Sequence, residues 1–260
     1  MIDFTPLAPV FLTLGPVKLH YYGLMYVLAF GFAYFFLPVL FRIRKVFITD
    51  AQFENVFFYG LIGGILGGRI FYVLFYNLTY YLSHPLKIFA VWEGGMASHG
   101  GIFGAALAVW FMCRHYKIAF FKITDCLVMP TALGLMFGRF GNFINGELYG
   151  RITTVPWCVH FKGAEGCRHP SQLYAAAKDL DIFITLFVLR KTEWKDGVLS
   201  MLFLTLYLTF RFIVEFFREP DPQIGYLWLG FSEGQWISLT ILAGVGVFSW
   251  WYFQKKEKVK

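Results

Sequence analysis

Long apolar runs alternate with short polar connections along this chain. The runs occupy roughly residues 19–40, 54–76, 98–113, 124–140, 172–190, 197–217 and 233–253. A helix needs roughly 20 residues to cross about 30 Å of hydrocarbon. The pattern therefore predicts an all-α, polytopic membrane protein with about seven transmembrane helices, forming a single integral membrane domain over residues 1–260. Lys178, Asp179 and Asp181 interrupt the fifth run, and a short apolar stretch near 84–92 reads as a re-entrant or interfacial segment. The run GGILGG at 63–68 lies inside the second span. Small residues there let two helices approach closely, and the run does not read as a phosphate loop.

Composition strengthens this picture. Of 260 residues, 58% are hydrophobic, 21% aromatic and only 15% charged, where a soluble domain carries about 25%. So few charges cannot cover a water-facing surface. A net charge of +7 on a soluble protein would raise the question of nucleic acid. Here the basic residues cluster between apolar runs, which points to a topology signal and anionic lipid, with no nucleic-acid partner.

One side of the membrane receives Arg42, Arg44, Lys45, Arg114, Lys117, Lys122, Arg190, Lys191, Lys195 and the tail lysines Lys255, Lys256, Lys258 and Lys260. The other side receives fewer, among them Lys18, Lys87, Arg139, Arg151, Lys162, Arg168, Arg211 and Arg218. The richer side is cytoplasmic by the positive-inside rule. The N-terminus then lies outside, the C-terminus lies in the cytoplasm, and the connection at about 141–171 is periplasmic. Asp3 and the lack of any basic residue before Lys18 argue against a cleavable signal peptide. The external connection holds Cys158 and Cys167, which in an oxidising compartment can form a disulfide; two free small apolar residues is the other reading. Zinc-type cysteine and histidine spacings, a Walker loop and a dinucleotide fingerprint are all missing, so neither metal nor cofactor is expected.

Polar groups inside apolar runs are costly and mark functional sites by default. With the orientation above, Tyr26, Arg69, His99, Arg139, Asn142, Asn145, Glu147, Arg151, His169, Gln172, Tyr174, Arg211, Glu215 and Arg218 all fall toward the outer leaflet. Singly, each has a bland explanation: snorkelling arginines, an interfacial tyrosine, a glutamate neutralising the arginines one turn away. Their shared depth favours one polar site instead. Several arginines with few acids suit a phosphate, which guanidinium grips with two prongs. At outer-leaflet depth that phosphate belongs to a phospholipid head group. His99 is the candidate for a base near neutral pH.

The segment GRFGNFINGELYGR at 138–151 closely resembles the signature of prolipoprotein diacylglyceryl transferases. HYYGLMY at 20–26, GGMASHGG at 94–101, HPSQLY at 169–174 and FRFIVEFFREPD at 210–221 resemble further blocks of that family in the same order. Phe71, Ala97, Ser98 and Ala175 depart from its usual residues but spare the charged positions. The resemblance implies an enzyme of the inner, cytoplasmic membrane of bacteria. Such an enzyme moves the diacylglyceryl group of phosphatidylglycerol to the lipobox cysteine of a preprolipoprotein, releasing glycerol 1-phosphate. It implies that Tyr26, His99, Arg139, Asn142, Glu147, Gly150, Arg211 and Glu215 matter. In the expected roles His99, Arg139 and Arg211 are catalytic. Tyr26, Arg69, Asn142, Asn145, Glu147, Gly150, Arg151 and Glu215 bind substrate. A small transporter and a non-catalytic lipid-binding scaffold are the competing readings. The first would usually show two related halves, and the second leaves His99, Asn142 and Glu147 unexplained.

Overall fold

The computed structural model describes residues 2–7, 10–14, 17–91, 94–219 and 226–257. Its backbone divides into two compact units, Met1–Leu40 with Asp125–Lys260, and Phe41–Thr124. Among the described residues each expected apolar run contains one long helix. These are α1 (Tyr21–Ile43), α2 (Asp50–Phe75), α4 (Ser98–His115), α5 (Phe120–Ile144), α6 (Ser171–Leu189), α7 (Val198–Val214) and α8 (Glu233–Glu257). The stretch near 84–92 is not a span. It follows a short helix, α3 (Leu78–Ser83), and folds as a single 3-10 turn at Pro85–Phe89.

Among the described residues, four helical segments are long and apolar enough to cross a membrane: Gly23–Ile43, Asp50–Phe75, Phe120–Ile144 and Glu233–Gln254. Val198–Val214 is apolar but shorter. Helix α4 opens on Ser-His-Gly-Gly, and α6 carries the three charges that interrupt its run. The surface is that of a membrane protein. Phe35 is 77% exposed, Val188 68% and Trp250 70%, and apolar exposure on this scale is rare on soluble monomers.

In the second unit, a capping box starts α2. The Thr49 hydroxyl accepts from the Gln52 N–H at 3.2 Å, and the Gln52 side-chain amide oxygen accepts from the Thr49 N–H at 2.9 Å. This satisfies two of the donors that a helix start leaves open. The GGILGG run packs α2 against α4. A Cβ added at Gly63 would lie 2.6 Å from the Ala108 Cβ and 2.6 Å from the Gly104 carbonyl. Only glycine permits that approach, as expected for small residues at a membrane helix interface.

In the first unit, α6, α7 and α8 pack in sequence. The start of α7 is held by a carboxylate from α5. Asp125, fully buried, accepts from the Gly197 N–H at 2.9 Å, the Ser200 N–H at 2.8 Å and the Ser200 hydroxyl at 2.6 Å. An acidic group there satisfies open donors and complements the helix dipole.

The all-α expectation needs one addition. Strand β1 (Ile2–Phe4) pairs in parallel with β4 (Val159–Phe161), while β2 (Val10–Leu14) pairs antiparallel with β3 (Val17–His20). The β1–β4 pair lies over an aromatic cluster of Phe4, Phe143, Phe161 and Tyr149. Cys158 and Cys167 form a disulfide in the same connection, so of the two readings of these cysteines the bonded one holds.

Candidate active site

The signature segment begins as the last turns of α5 and leaves the helix through a tight turn. Arg139 and Asn142 lie on the helix. After Ile144 the chain turns with positive φ at Gly146 (68°) and Leu148 (57°). The turn is closed by its own polar groups. The Asn142 amide donates to the Glu147 carboxylate at 2.9 Å and the Asn145 amide does so at 3.4 Å. The Gln172 amide, from the start of α6, donates to the Glu147 carbonyl at 2.8 Å, and the Ser171 hydroxyl donates to the Leu148 carbonyl at 3.1 Å. Asn142, Asn145 and Glu147 thus come together as one network that ties the end of α5 to the start of α6.

Gly150 follows where three backbones meet. A Cβ there would lie 2.7 Å from both the Cβ and the carbonyl oxygen of His169, and closer still to the Phe217 carbonyl. The Gly150 N–H donates to the His169 carbonyl at 2.9 Å, and the next residue's N–H donates to the Phe217 carbonyl at 3.0 Å. These bonds strap the signature to the residues just before α6 and just after α7. Arg151 reinforces the strap, its Nε donating to the Arg218 carbonyl at 2.9 Å and a terminal nitrogen to the Glu215 carbonyl at 3.4 Å. Its guanidinium also lies 5.3 Å from the Tyr226 ring. Arg168 donates to the Gly150 carbonyl at 3.2 Å and pairs with Glu219.

At the end of α7, Glu215 is the hub. The residue is 5% exposed, and its carboxylate is 2.7 Å from Arg211 and 3.7 Å from Arg218. It also accepts from the Ser232 hydroxyl at 3.2 Å, just before α8. One acid therefore serves two arginines, which leaves positive charge in excess. Arg139 and Arg218 both act electrostatically on Arg211, so guanidinium groups from α5 and α7 share one locality. Such a group of cations is suited to a phosphate and to negative charge that grows on it.

Other expected residues stand differently. Tyr26 lies on α1, is 44% exposed and stacks on Phe30. Arg69 and His99 belong to the second unit. Arg69 was expected among the substrate-binding groups, yet all five of its N–H donors face main-chain carbonyls. Its Nε donates to Ile88 at 2.8 Å, one terminal nitrogen to Gly94 at 2.5 Å and Gly95 at 3.0 Å, and the other to Lys87 at 2.5 Å and Ala90 at 3.1 Å. Only 3% exposed, it organises the loop that leads into α4. His99 lies in the first turn of α4; its side chain lies outside the described residues, as do Pro220 and Asp221 of the last sequence block.

One feature was not anticipated. Lys178 and Asp179 looked like interruptions of a span, but they form a buried ion pair. His169 sits outside the helices, its Nδ1 3.1 Å from the Tyr174 hydroxyl. Burial first, and then the charge of Arg151, hold its imidazole below the ordinary value of 6.5.

A mostly helical protein with long apolar helices and this much exposed apolar surface belongs to the class of membrane proteins. The family model described as prolipoprotein diacylglyceryl transferase matches residues 9–252. The phosphatidylglycerol–prolipoprotein diacylglyceryl transferase of Geobacter sulfurreducens is 48% identical over 242 residues, covering 92% of this chain and 93% of that one. Enzymes of the same name from Bordetella avium and Coxiella burnetii are 45% and 41% identical, covering 94% and 99% of this chain and 94% and 100% of their own. The chain belongs to the prolipoprotein diacylglyceryl transferase family.

Proposed function

We propose that the protein transfers the sn-1,2-diacylglyceryl group of phosphatidylglycerol to the lipobox cysteine of preprolipoproteins, the first step of bacterial lipoprotein maturation. The observation that carries this reading is the excess of guanidinium over carboxylate around Glu215, which serves both Arg211 and Arg218 while Arg139 also bears on Arg211, within a chain of this family. The cysteine sulfur attacks the glyceryl carbon that bears the phosphate. A carbon–sulfur bond forms and the carbon–oxygen bond breaks. The phosphate leaves with the bonding pair as glycerol 1-phosphate, its charge rising from one to two.

A free thiol has a pKa near about 8.5, so attack requires loss of its proton. His99 is the residue assigned to take it. Arg139 and Arg211 stabilise the departing phosphate; losing one such preorganised donor typically costs about 10²–10³ in rate. Glu215 holds Arg211 in place, the Asn142–Asn145–Glu147 network fixes the turn that carries the signature, and Tyr26 takes the head group. The whole chain acts as one integral domain of the bacterial inner membrane. Seven helices cross, the N-terminus is outside, the C-terminus is in the cytoplasm, and the site opens to the outer leaflet.

Phosphorus-31 spectra of purified protein with phosphatidylglycerol and a lipobox peptide test the reaction. The phosphodiester signal should give way to a glycerol phosphate monoester in step with loss of free thiol. Lipid that stays intact while bound would mark a scaffold, and lipid consumed with the thiol untouched would mark a hydrolase.

A further inference from the structure

Helix α6 carries a charged pair that the proposed reaction leaves unused. Lys178 and Asp179 are 7% and 1% exposed. The ammonium binds Asp179 Oδ1 and lies 4.1 Å from the centre of the Tyr207 ring, and Tyr207 precedes Arg211 by one turn of α7. The other carboxylate oxygen, Oδ2, is buried with no hydrogen-bond donor among the described residues. Arg139 and Arg211 both act electrostatically on the pair.

Stability alone is a poor reason to keep such a pair. Replacing a buried ion pair by apolar residues is often neutral or stabilising, and a buried oxygen without a donor is a standing penalty. A carboxylate with an open oxygen in the neighbourhood of two guanidinium groups is, however, a rival to the phosphate for them. Its neighbour on the helix is the cation that keeps it occupied.

We propose that the Lys178–Asp179 pair tunes the affinity of the arginine site for phosphate: Lys178 ties up Asp179, so that Arg139 and Arg211 stay available to the lipid. Both are positioning residues that act through the arginines, and the inference rests on the transfer reading above. It has a signature that a merely structural pair lacks, because the two neutral variants shift anion binding in opposite directions. Lys178→Met frees the carboxylate to compete and weakens phosphate binding. Asp179→Asn leaves an extra cation and strengthens it.

The test is inhibition of the purified full-length enzyme by glycerol 1-phosphate, together with the KM for phosphatidylglycerol and a thermal melt of each variant. The inhibition constant should rise about tenfold in Lys178→Met and fall several-fold in Asp179→Asn, the order expected for one unit charge acting over about 10 Å at an effective dielectric near 20. Lys178→Arg should keep the parent value, and Lys178→Met with Asp179→Leu should return toward it while melting no lower. Shifts of the same sign in both single variants, or none in either, would overturn the proposal. Should Asp179→Asn not fold, Asp179→Leu beside Lys178→Met decides it: a double variant that stays as weak as Lys178→Met alone contradicts the rival-carboxylate role. A parent protein that shows no transfer in the same assay would instead defeat the reaction itself.

Discussion

Replacing Gly150 with alanine adds one methyl group at a point where three backbones converge. That methyl would sit 2.7 Å from the Cβ and from the carbonyl oxygen of His169 and would also run into the Phe217 carbonyl. None of these is the mobile end of a long side chain, so the strand-like strap from Gly150 to Arg218 must move. Overpacking of this kind costs about 1–3 kcal/mol. Displacing the Gly150-to-His169 and Arg151-to-Phe217 bonds, 2.9 and 3.0 Å long, adds about 1 kcal/mol for each one weakened. The sum, about 2–5 kcal/mol, is a large part of the 5–15 kcal/mol that typically holds a domain. The strap also fixes the end of α7, where Arg211 and Glu215 sit, so activity should fall by more than the loss of folded protein explains. Thermal unfolding in detergent and the transfer rate per folded molecule measure the two effects. A Gly150→Ala enzyme that melts and turns over like the parent would refute the close approach as a requirement of the site.

Arg69→Met removes five donors from main-chain carbonyls at about 1–3 kcal/mol for each acceptor left buried and unsatisfied. It should therefore lower the melting temperature sharply, whereas an Arg69 that bound substrate would show a raised KM with an unchanged melt. Because His169 is held below 6.5 by burial and by Arg151, its neutral form belongs to the folded state. Its contribution to stability is complete above about pH 6.5 and is lost as pH falls through the folded value. A melt series from pH 7.5 downward should show this loss, and it should be smaller in His169→Gln. Cys158 and Cys167 close a loop with a sequence separation of 9, so Cys158→Ser with Cys167→Ser should cost about 2–3 kcal/mol by loop entropy, read as a lower melting midpoint.

Much of the architecture could be read from the residues because a membrane helix is a local object. Each apolar run became a helix, and GGILGG became the contact of α2 with α4 because no side chain stands in the way. The two-stranded sheets could not be read. Ile2–Phe4 is three residues long, and its partner, Val159–Phe161, lies at the far side of the chain, so no local periodicity announces the pairing. Arg69 shows a second limit. Its position in an apolar run marked it as functional, but its partners are carbonyls 18 to 26 residues onward, and carbonyls carry no signal in a sequence. Lys178 and Asp179 show a third. Adjacent opposite charges weaken a span on paper, yet side by side on one helix they neutralise each other inside the protein. At the site itself, the signature segment, Arg211 and Glu215 were legible as a group. What had to be seen was the order within it: Glu215 shared by Arg211 and Arg218, and Asn142 and Asn145 converging on Glu147.

The mass of a lipobox peptide tests most directly whether the arginines of α5 and α7 move a diacylglyceryl group onto a cysteine. Incubated with phosphatidylglycerol and the parent protein, the peptide should gain one diacylglyceryl unit on its thiol. With Arg139→Ala or Arg211→Ala, shown by their melts to be folded, the rate should fall by about 10²–10³. A peptide left unchanged by folded parent protein, or modified as fast by the arginine variants, would contradict the account.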